Sequence, residues 1–456
     1  MLKIYNTLTK QKDVFEPINP GQVGVYTCGP TVYDYDHLGH AWNYFNADVL
    51  RRAFEYFGYK VNHVMNITDV GHLVSDGDEG EDKMEKKAKA EGKSAYEIAE
   101  FFTKIFLENR QKMNFLEPTT ICKATDHIKE MIALVQTLLD KGYAYKIEDG
   151  VYFDTSKFSN YGQLSGNVLD KIKEGARIEV NLEKRNPSDF ALWKFVKGDE
   201  QRQMVWEAFG HKSFPGWHIE CSAMSMKYLG PHFDVHSGGE DNIFPHHECE
   251  IAQSEGANGV KFVNYWVHTR FLKVEGEKMS KSKKNFFRIS DIEERGMEAM
   301  DLRYLFLTSH HTSQFNFTWD ALKAARVARL KLVEFLSGVD KIGQVNEDFK
   351  KRFGEFIEDD LSMSQVMALV WELVKSSLSD EDKKATLLDF DQILGLRLGE
   401  AKKATAPADI VLLAQARLEA KQAKDWAKAD ALRDEIKVKG WMMEDSKDGS
   451  YNLRQL

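Results

Sequence analysis

A strand–loop–helix–strand pattern near the start of the chain constrains the fold more than any other feature. The β-rich run Val23 to Thr27 stops at Gly29-Pro30. Hydrophobic residues then recur at helical spacing from Ala41 to Phe57, and KVNHVMNIT predicts the next strand. This order predicts a doubly wound α/β unit, which binds ligands beyond the carboxyl ends of its strands.

The length and composition of the chain narrow its class. With 456 residues, 43% of them hydrophobic, the chain can bury a large core and divide into several domains. No apolar run reaches the roughly 18 residues of a membrane span, and MLKIYNTLTKQKDVF lacks the features of a signal peptide. We therefore expect a cytoplasmic protein that does not contact a membrane. A net charge of −9 argues against nucleic-acid binding over the whole surface but leaves room for a local basic face.

Two histidines, His37 and His40, flank Gly39 at the predicted start of the first helix. A helix start offers unpaired N–H groups and a positive dipole end, which suit phosphate. Gly39 lets a ligand approach the backbone, and two imidazoles could hydrogen-bond phosphate oxygens. Taken alone, the motif HLGH is equally consistent with two surface histidines near a turn.

A basic segment, GEKMSKSKKNFF, follows far downstream and contains Lys278 and Lys281. Such a run is usually a solvated loop. Together with the upstream HLGH, however, the segment Lys278 to Ser282 resembles the signature pair of the class I aminoacyl-tRNA synthetases. In that family a mobile lysine loop contacts the phosphates of ATP.

The segment FPHHECEIAQSEG concentrates side chains that can bind metals. Two interpretations compete: a solvated polar helix start, or half of a metal site. A helix with Pro245 in its first turn would place His246 and Glu250 on one face, at positions i and i+4. His247 and Glu248 would then point elsewhere.

A histidine and a carboxylate need further ligands to hold zinc, and two thiols lie in suitable places. Cysteines in a reducing compartment are expected to be thiols or ligands, not disulfides. Cys28 follows the first predicted strand, and Cys221 lies in GWHIECSAM, which we place at the end of another strand. Cys249 would point about 100° away from Glu250 on a helix, and we expect neither it nor Cys122 to bind metal.

Taken together, six blocks of this chain resemble the cysteinyl-tRNA synthetase family. The blocks occur in family order: YTCGPTVYDYDHLGHAW, NITDVGHL, NPSDFALWK, GWHIECSAM, FDVHSGGEDNIFPHHECEIAQSE and GEKMSKS. The tail RLEAKQAKDWAKADALRDEI is similar to the terminal tRNA-binding helices of that family. The resemblance spans the chain from Tyr26 to about Trp441. After Ser282, the chain has Lys283-Lys284 where the family usually has Leu-Gly.

The resemblance implies a set of site residues and cofactors. One Zn²⁺ per chain would be held by Cys28, Cys221, His246 and Glu250. Catalysis would rest on His37, His40, Lys278 and Lys281. ATP, bound with Mg²⁺, would contact His37, Gly39, His40, Gly238, Gly239, Asp241 and Lys281. Thr68 and Trp217 are expected to line the pocket for L-cysteine.

Zinc in an amino-acid pocket has a physical rationale when the substrate is cysteine. The competitor, serine, is nearly isosteric, and a hydrophobic pocket rejects such analogues by only about 10²-fold. Zinc binds a thiolate at about 2.3 Å, whereas an alcohol stays protonated and is a poor ligand. We therefore expect zinc to select cysteine over serine by binding the substrate thiolate, so that no separate editing domain is needed.

The expected fold class is α/β, with a Rossmann-like class I synthetase catalytic domain that contains an insertion. An α-helical bundle and a small C-terminal tRNA-binding domain follow. Sequence breaks near Gly338–Gly343 and Lys402–Asp409 support the later boundaries. The predicted segments are 1–115 (catalytic, first half), 116–205 (insertion), 206–270 (catalytic, second half), 271–325 (lysine-loop segment), 326–402 (bundle) and 403–456 (anticodon-binding domain).

Binding of tRNA(Cys) is expected at the C-terminus. Lys421, Lys424 and Lys428 are predicted to share one helical face close to Trp426. On charge alone this is a solvated amphipathic helix; with the family resemblance it predicts anticodon contact. We expect a monomer.

Three rival functions are weaker. A ligase that joins cysteine to an amino sugar would lack the basic tail. A non-catalytic tRNA-binding paralogue would have lost members of the two signature motifs. A protein with purely structural zinc would not need the lysine loop.

Overall fold

The computed structural model describes residues 1–71, 82–166, 182–198, 202–279, 285–401, 406–445 and 450–455. Its strands are β1 (Lys3–Asn6), β2 (Gln11–Val14), β3 (Gln22–Thr27), β4 (Lys60–Ile67), β5 (Thr120–Lys123), β6 (Ala144–Ile147), β7 (Gly150–Phe153), β8 (Phe190–Phe195), β9 (Trp206–Ala208), β10 (His211–Pro215), β11 (Phe233–Gly239), β12 (Val263–Thr269), β13 (Leu272–Val274), β14 (Glu277–Lys278), β15 (Phe315–Phe317), β16 (Trp441–Asp445) and β17 (Tyr451–Gln455).

The α-helices of the same ranges are α1 (Leu38–Tyr56), α2 (Lys83–Glu91), α3 (Ala95–Lys112), α4 (Ile128–Asp140), α5 (Trp217–Leu229), α6 (Glu248–Asn258), α7 (Ile289–Glu293), α8 (Ala299–Leu307), α9 (Trp319–Ser337), α10 (Glu347–Glu358), α11 (Met363–Lys375), α12 (Asp380–Leu394), α13 (Ala408–Gln422) and α14 (Trp426–Val438). Within these ranges, no helix is both long enough and apolar enough to cross a membrane.

A five-stranded parallel sheet, in the order β12-β11-β3-β4-β5, forms the centre of the α/β part of the chain. Successive side chains of a strand point to opposite faces, and both faces of this sheet are covered. Val25 and Met65 pack into the core that contains α1, whereas Tyr26 and Val64 pack into the core that contains α5 and α6. The predicted doubly wound α/β fold is confirmed.

The order of the strands creates a switch point between β3 and β11. From β3 the chain moves through α1 to β4 and then to β5 on one side, and it later returns to β11 and β12 on the other side. Ligands of open α/β sheets bind outside the carboxyl ends of the strands at such a point. Here those ends lie at Thr27 and Gly239.

A second sheet, which is antiparallel and has the order β6-β7-β8-β10-β9, lies between β5 and β11 in the chain. Its strands lie between Ala144 and Pro215. The edge strand of the parallel sheet, Thr120–Lys123, comes from inside the segment 116–205 that the sequence assigned to the insertion. The division of the chain into six segments stays a prediction.

Helices α10 and α12, which follow the α/β part of the chain, share its core. The rings of Phe353 in α10 and Phe390 in α12 stack with centroids 4.1 Å apart, and both belong to the cluster that contains α1. The C-terminal hairpin of α13 and α14 instead packs on β16 and β17 around a small core of its own, centred on Ile410, Ile436 and Trp441.

The predicted single helical face for Lys421, Lys424 and Lys428 is wrong. Helix α13 ends at Gln422, and Lys424 has a left-handed φ of 60°. The carboxylate of Asp425 then accepts a hydrogen bond from the backbone N–H of Lys428 at 3.1 Å, which starts α14. A left-handed residue followed by an N-cap ends one helix and begins the next, so the three lysines lie on different elements.

Candidate active site and metal centre

A cavity of about 420 Å³ lies at the switch point of the sheet, beside the start of α1. Eight residues singled out in the sequence line it: Cys28, His37, Gly39, His40, Trp217, Gly239, Asp241 and Lys278. Lys281 and the adjoining Lys283-Lys284 lie outside the described residues. The exposed Lys278 ends β14, with its Nζ 5.3 Å from the ring centroid of Phe271.

His37 and His40 form a compact pair at the start of α1. Their rings stack with centroids 3.8 Å apart. Nδ1 of His37 accepts hydrogen bonds from the backbone N–H groups of Gly39 and His40 at 3.0 and 3.3 Å, and Nδ1 of His40 accepts from His37 N–H at 3.2 Å. A neutral imidazole whose Nδ1 accepts must carry its proton on Nε2. Each ring therefore offers an Nε2–H donor.

Two glycines of the site are required by close packing. A Cβ on Gly39 would lie 2.8 Å from Cε1 of His37 and 3.0 Å from Cε of Met279. A Cβ on Gly238 would lie 2.7 Å from Cε1 of His247. The backbone of Gly238 thus packs against an imidazole, and this residue does not line the cavity.

The four predicted metal ligands converge behind the cavity. Sγ of Cys28 lies 3.8 Å from Sγ of Cys221, and Nε2 of His246 lies 3.1 Å from Oε1 of Glu250. Their ligand atoms all lie within 4.8 Å of one another, and all four residues are buried. Two Zn–S bonds of about 2.3 Å in a tetrahedron place the sulfurs about 3.8 Å apart. The donor set and the sulfur separation fit zinc.

One local prediction about these ligands is wrong: Cys221 lies inside α5, which begins after Gly216, and not at a strand end. The predicted helical turn at Pro245 is confirmed. The backbone is extended at Phe244 and helical after it, in a π-helical turn that leads into α6 at Glu248. His246 and Glu250 therefore face each other at positions i and i+4.

A second possible ligand group overlaps the first. It consists of Cys28, His236, His247 and Glu250, and its ligand atoms also lie within 4.8 Å of one another. Nε2 of His247 lies 3.3 Å from Sγ of Cys28, so the prediction that His247 points elsewhere is wrong. Residues at i+3 and i+4 lie on the same face of a helical turn, which brings both histidines toward Glu250.

Glu248 does point away, as expected: its carboxylate accepts hydrogen bonds from the backbone N–H groups of Gly162, Leu164 and Ser165.

Two further histidines contact the predicted ligands His246 and Glu250. Nδ1 of His218 lies 2.9 Å from Nδ1 of His246, and Nε2 of His236 lies 3.0 Å from Oε2 of Glu250. Contacts of this kind orient metal ligands and tune their basicity.

Sequence reasoning missed one member of this group, His268. Its Nε2 lies 2.7 Å from Nδ1 of His247, and its Nδ1 lies 2.7 Å from Oγ1 of Thr7. Its position at the end of β12, next to β11, is the signal that could have found it.

Burial and neighbouring histidines together shift the pKa values of the candidate ligands. Burial raises the pKa of the Cys28 thiol to about 11 and that of Cys221 well above its ordinary value. For Glu250, burial favours the neutral acid, but His236 and His246 outweigh it and lower the pKa to about 2. The centre therefore combines an ionised carboxylate with two thiols that need a cation to become thiolates.

The sequence of this chain is similar to that of known proteins over nearly its whole length. The family described as tRNA synthetases class I (C) catalytic domain matches residues 14–327. A cysteine–tRNA ligase of Burkholderia lata is 46% identical, with 98% of this chain and 96% of that protein covered. One of Treponema denticola is 42% identical, with 97% and 98% covered.

The chain belongs to the cysteine–tRNA ligase family of class I synthetases. Its fold is also that of a methionyl-tRNA synthetase of Mycobacterium tuberculosis solved with methionyl-adenylate. That structure has a TM-score of 0.60 at 15% identity, with 83% of this chain and 93% of that chain covered.

In this member of the cysteine–tRNA ligase family, the other two cysteines lie outside both ligand groups. Sγ of Cys249 lies 3.5 Å from the hydroxyl oxygen of Tyr161, and the thiol of Cys122 donates to the carbonyl of Met65 at 3.5 Å. Both thiols are buried among core residues.

The two residues expected in the amino-acid pocket are placed differently. Trp217 lines the cavity, and its ring lies 4.4 Å from that of His246, centroid to centroid. Thr68 is buried, does not line the cavity, and donates a hydrogen bond to Oε2 of Glu220 at 2.8 Å. Of these two residues, Trp217 bridges the cavity and the metal ligands directly.

Proposed function

We propose that the cavity binds ATP and L-cysteine, and that the chain forms cysteinyl-adenylate and transfers the cysteinyl group to tRNA(Cys). One observation carries this proposal: His37, His40 and Lys278 line the same cavity as Cys28. Groups suited to bind phosphate and one thiol of the candidate metal centre therefore face the same space, which supports the proposal. Membership of the cysteine–tRNA ligase family supports the same reaction.

The first step is attack of the cysteine carboxylate on the α-phosphorus of ATP, with pyrophosphate as the leaving group. Negative charge shifts among the phosphate oxygens during the transfer, and donors fixed in place stabilise it without reorganisation. The Nε2–H groups of His37 and His40 are such donors, because backbone bonds to Nδ1 hold both rings. Lys278, with Lys281 further along the sequence, would bind the other phosphates together with Mg²⁺.

Adenosine would lie against the carboxyl end of β11. Gly239 and Asp241 line the cavity there, and we assign Asp241 to the ribose hydroxyls. Gly238 would act indirectly, by leaving room for His247. The cysteine side chain would lie against Trp217, whereas Thr68 would act through Glu220.

We assign zinc to Cys28, Cys221, His246 and Glu250. Bound zinc would accept a substrate thiolate and lower the pKa of the thiol, which an alcohol cannot match. The residues themselves do the positioning: His236 and His218 orient Glu250 and His246.

The tip of the α13–α14 hairpin is the proposed contact with the tRNA anticodon. Lys424, Trp426 and Lys428 are exposed there, and the side chain of Trp426 is 58% exposed. Exposed aromatic rings stack on unpaired bases, and lysines pair with phosphates. A cytoplasmic location and a monomeric state remain predictions.

The test is ATP–pyrophosphate exchange with the purified full-length chain. Cysteine should support exchange, serine should not, and labelled cysteine should then be transferred to tRNA(Cys). Exchange with both amino acids at equal efficiency would contradict the role of the metal. Absence of exchange with cysteine would contradict the reaction itself.

A further inference from the structure

A turn of the helical bundle is tied to the N-terminal strand. Asp360 and Leu361, between α10 and α11, both have left-handed φ angles, 61° and 56°. The backbone N–H of Asp360 donates to the carbonyl of Lys3 at 3.1 Å. Its carboxylate accepts from the backbone N–H of Tyr5 at 2.8 Å. The bundle is therefore joined to the α/β part of the chain at this turn.

Two histidines that follow α8 bind the same aspartate. Nε2 of His310 lies 2.6 Å from the backbone carbonyl of Asp360, and Nε2 of His311 lies 3.1 Å from its carboxylate. Neither oxygen can donate, so each imidazole must carry a proton on Nε2. Nδ1 of His310 accepts from the N–H of Thr312 at 3.3 Å, in agreement.

The three side chains could also hold a metal ion. The protons on Nε2 occupy the lone pairs that a metal would need, however, and the contacts satisfy the aspartate oxygens that face them. The geometry favours a hydrogen-bonded joint, buried so that the His311 and Asp360 side chains are only 3% and 1% exposed.

The backbone of His311 faces the opposite way, toward the cavity. Its carbonyl accepts a hydrogen bond from the N–H of Arg270 at 3.0 Å. Arg270 lines the cavity, and its own carbonyl accepts from Nε1 of Trp42 in α1 at 3.0 Å. The chain then continues through Phe271 and β13 to Lys278. One residue thus touches the bundle with its ring and the cavity wall with its carbonyl.

We propose that His311 is a positioning residue. Through it, the turn of the bundle at Asp360 holds the cavity wall at Arg270 and the strand that leads to Lys278 in place. The hydrogen bond to Asp360 fixes the His311 backbone, and the fixed carbonyl in turn holds the Arg270 amide. The consequence for ATP binding rests on the proposed function. The consequence for the Arg270 backbone does not.

The test compares three variants of the full chain. His311→Phe keeps an aromatic ring, slightly larger than imidazole, and removes the Nε2–H donor. His311→Gln restores a side-chain N–H at a similar reach. Tyr56→Phe is the matched control, because its hydroxyl donates to Asp389 of α12 at 2.7 Å and so also joins α1 to the bundle, without touching Arg270.

Two readouts are taken on each variant. Amide hydrogen exchange, measured by mass spectrometry over residues 263–274, should be about fivefold faster at Arg270 in H311F, as for loss of one hydrogen bond. The KM for ATP in pyrophosphate exchange should rise by about the same factor, with kcat changed less. H311Q and Y56F should behave as the unsubstituted chain in both readouts.

Unchanged amide exchange in H311F, or an equal change in Y56F, would overturn the proposal. A change in H311Q as large as that in H311F would also overturn it, since the N–H donor would then not matter. If H311F does not fold, His311→Ala removes the same donor without added bulk and is judged by the same outcomes. Loss of pyrophosphate exchange in the unsubstituted chain would contradict the proposed function, while amide exchange would still decide the role of His311.

Discussion

The sulfur atoms of Cys28 and Cys221 lie 3.8 Å apart, although 193 residues separate them in the chain. One thiol follows β3 and the other lies in α5, so a shared ion would join the sheet to a helix on its face. We predict that Cys221→Ser lowers bound zinc well below one ion per chain, as measured by inductively coupled plasma mass spectrometry. Cys249→Ser is the matched control and should keep its zinc, because that thiol faces Tyr161.

The two overlapping ligand groups make opposite predictions for adjacent histidines. If zinc binds with Cys221 and His246, His246→Ala should lose most of the metal, and His247→Ala should retain it with lower affinity. A competition titration with a chromophoric chelator measures both affinities. Greater loss in H247A than in H246A would assign the metal to the group that contains His236.

Substitutions of His37 can separate its structural role, which uses Nδ1, from its catalytic role, which uses Nε2–H. Nδ1 of His37 caps α1, and an Asn side chain can also cap a helix but has no Nε2–H donor. His37→Asn should therefore lower kcat for pyrophosphate exchange by about 10²-fold with little change in melting temperature. His37→Ala should lower both kcat and the free energy of unfolding, the latter by about 1 kcal/mol. A normal kcat in H37N would show that the second nitrogen does not act on the transition state.

A carboxyl group beside the signature motif should make stability depend on pH. Burial raises the pKa of Asp36 from 3.8 to about 6, although Asn109 donates to it at 2.8 Å. A raised pKa means that the folded protein favours the protonated carboxyl group. The contribution of Asp36 to the free energy of unfolding is therefore lost as pH rises from about 4 to about 6. Asp36→Asn cannot ionise, and its melting temperature relative to the unsubstituted chain should rise over that window.

Thermal unfolding at about pH 4.5 and about pH 7.5 measures this difference. Asp140→Asn, at an exposed carboxylate, is the control. A difference in melting temperature that falls or stays constant with rising pH would contradict the assigned shift.

The exposed ring at the tip of the C-terminal hairpin should serve tRNA alone. Trp426→Ala should raise the KM for tRNA(Cys) by about tenfold, as for loss of one stacked base, and leave pyrophosphate exchange unchanged. Val438→Ala is the control, because Val438 is 88% exposed at the other end of α14. An equal loss of aminoacylation in both variants would assign the hairpin a structural role.

Local patterns predicted the first βαβ unit well. The strands Gln22–Thr27 and Lys60–Ile67 and the helix Leu38–Tyr56 lie within a few residues of their expected bounds. Strand and helix periods are set by neighbours along the chain, so the sequence carries them directly. The helix starts at the histidine pair, as predicted, three residues before the apolar repeat begins at Ala41, because His37 caps it there.

Local patterns failed where an element is buried on every side. Residues 218–225 of α5 are all buried, including His218, Glu220 and Ser222. Such a helix has no polar face and hence no 3.6-residue alternation, and it cannot be told from a strand by periodicity. The place of Cys221 in a helix therefore could not be predicted from GWHIECSAM.

By itself, the sequence determined which reactive groups this protein carries. They are two thiols, an imidazole and a carboxylate in recognisable blocks, a histidine pair at a helix start, and a lysine after β13. Their family order carried the reaction class. Only the tertiary structure decided that His236, His247 and His268 lie next to the predicted ligands. It also decided that a second possible ligand group overlaps the first. Those contacts join strands and helices distant in the chain. Because the parallel pairing of β11 with β12 sets His268 opposite Gly238, two residues beyond His236, the proximity of these histidines depends on strand pairing and not on their spacing along the chain.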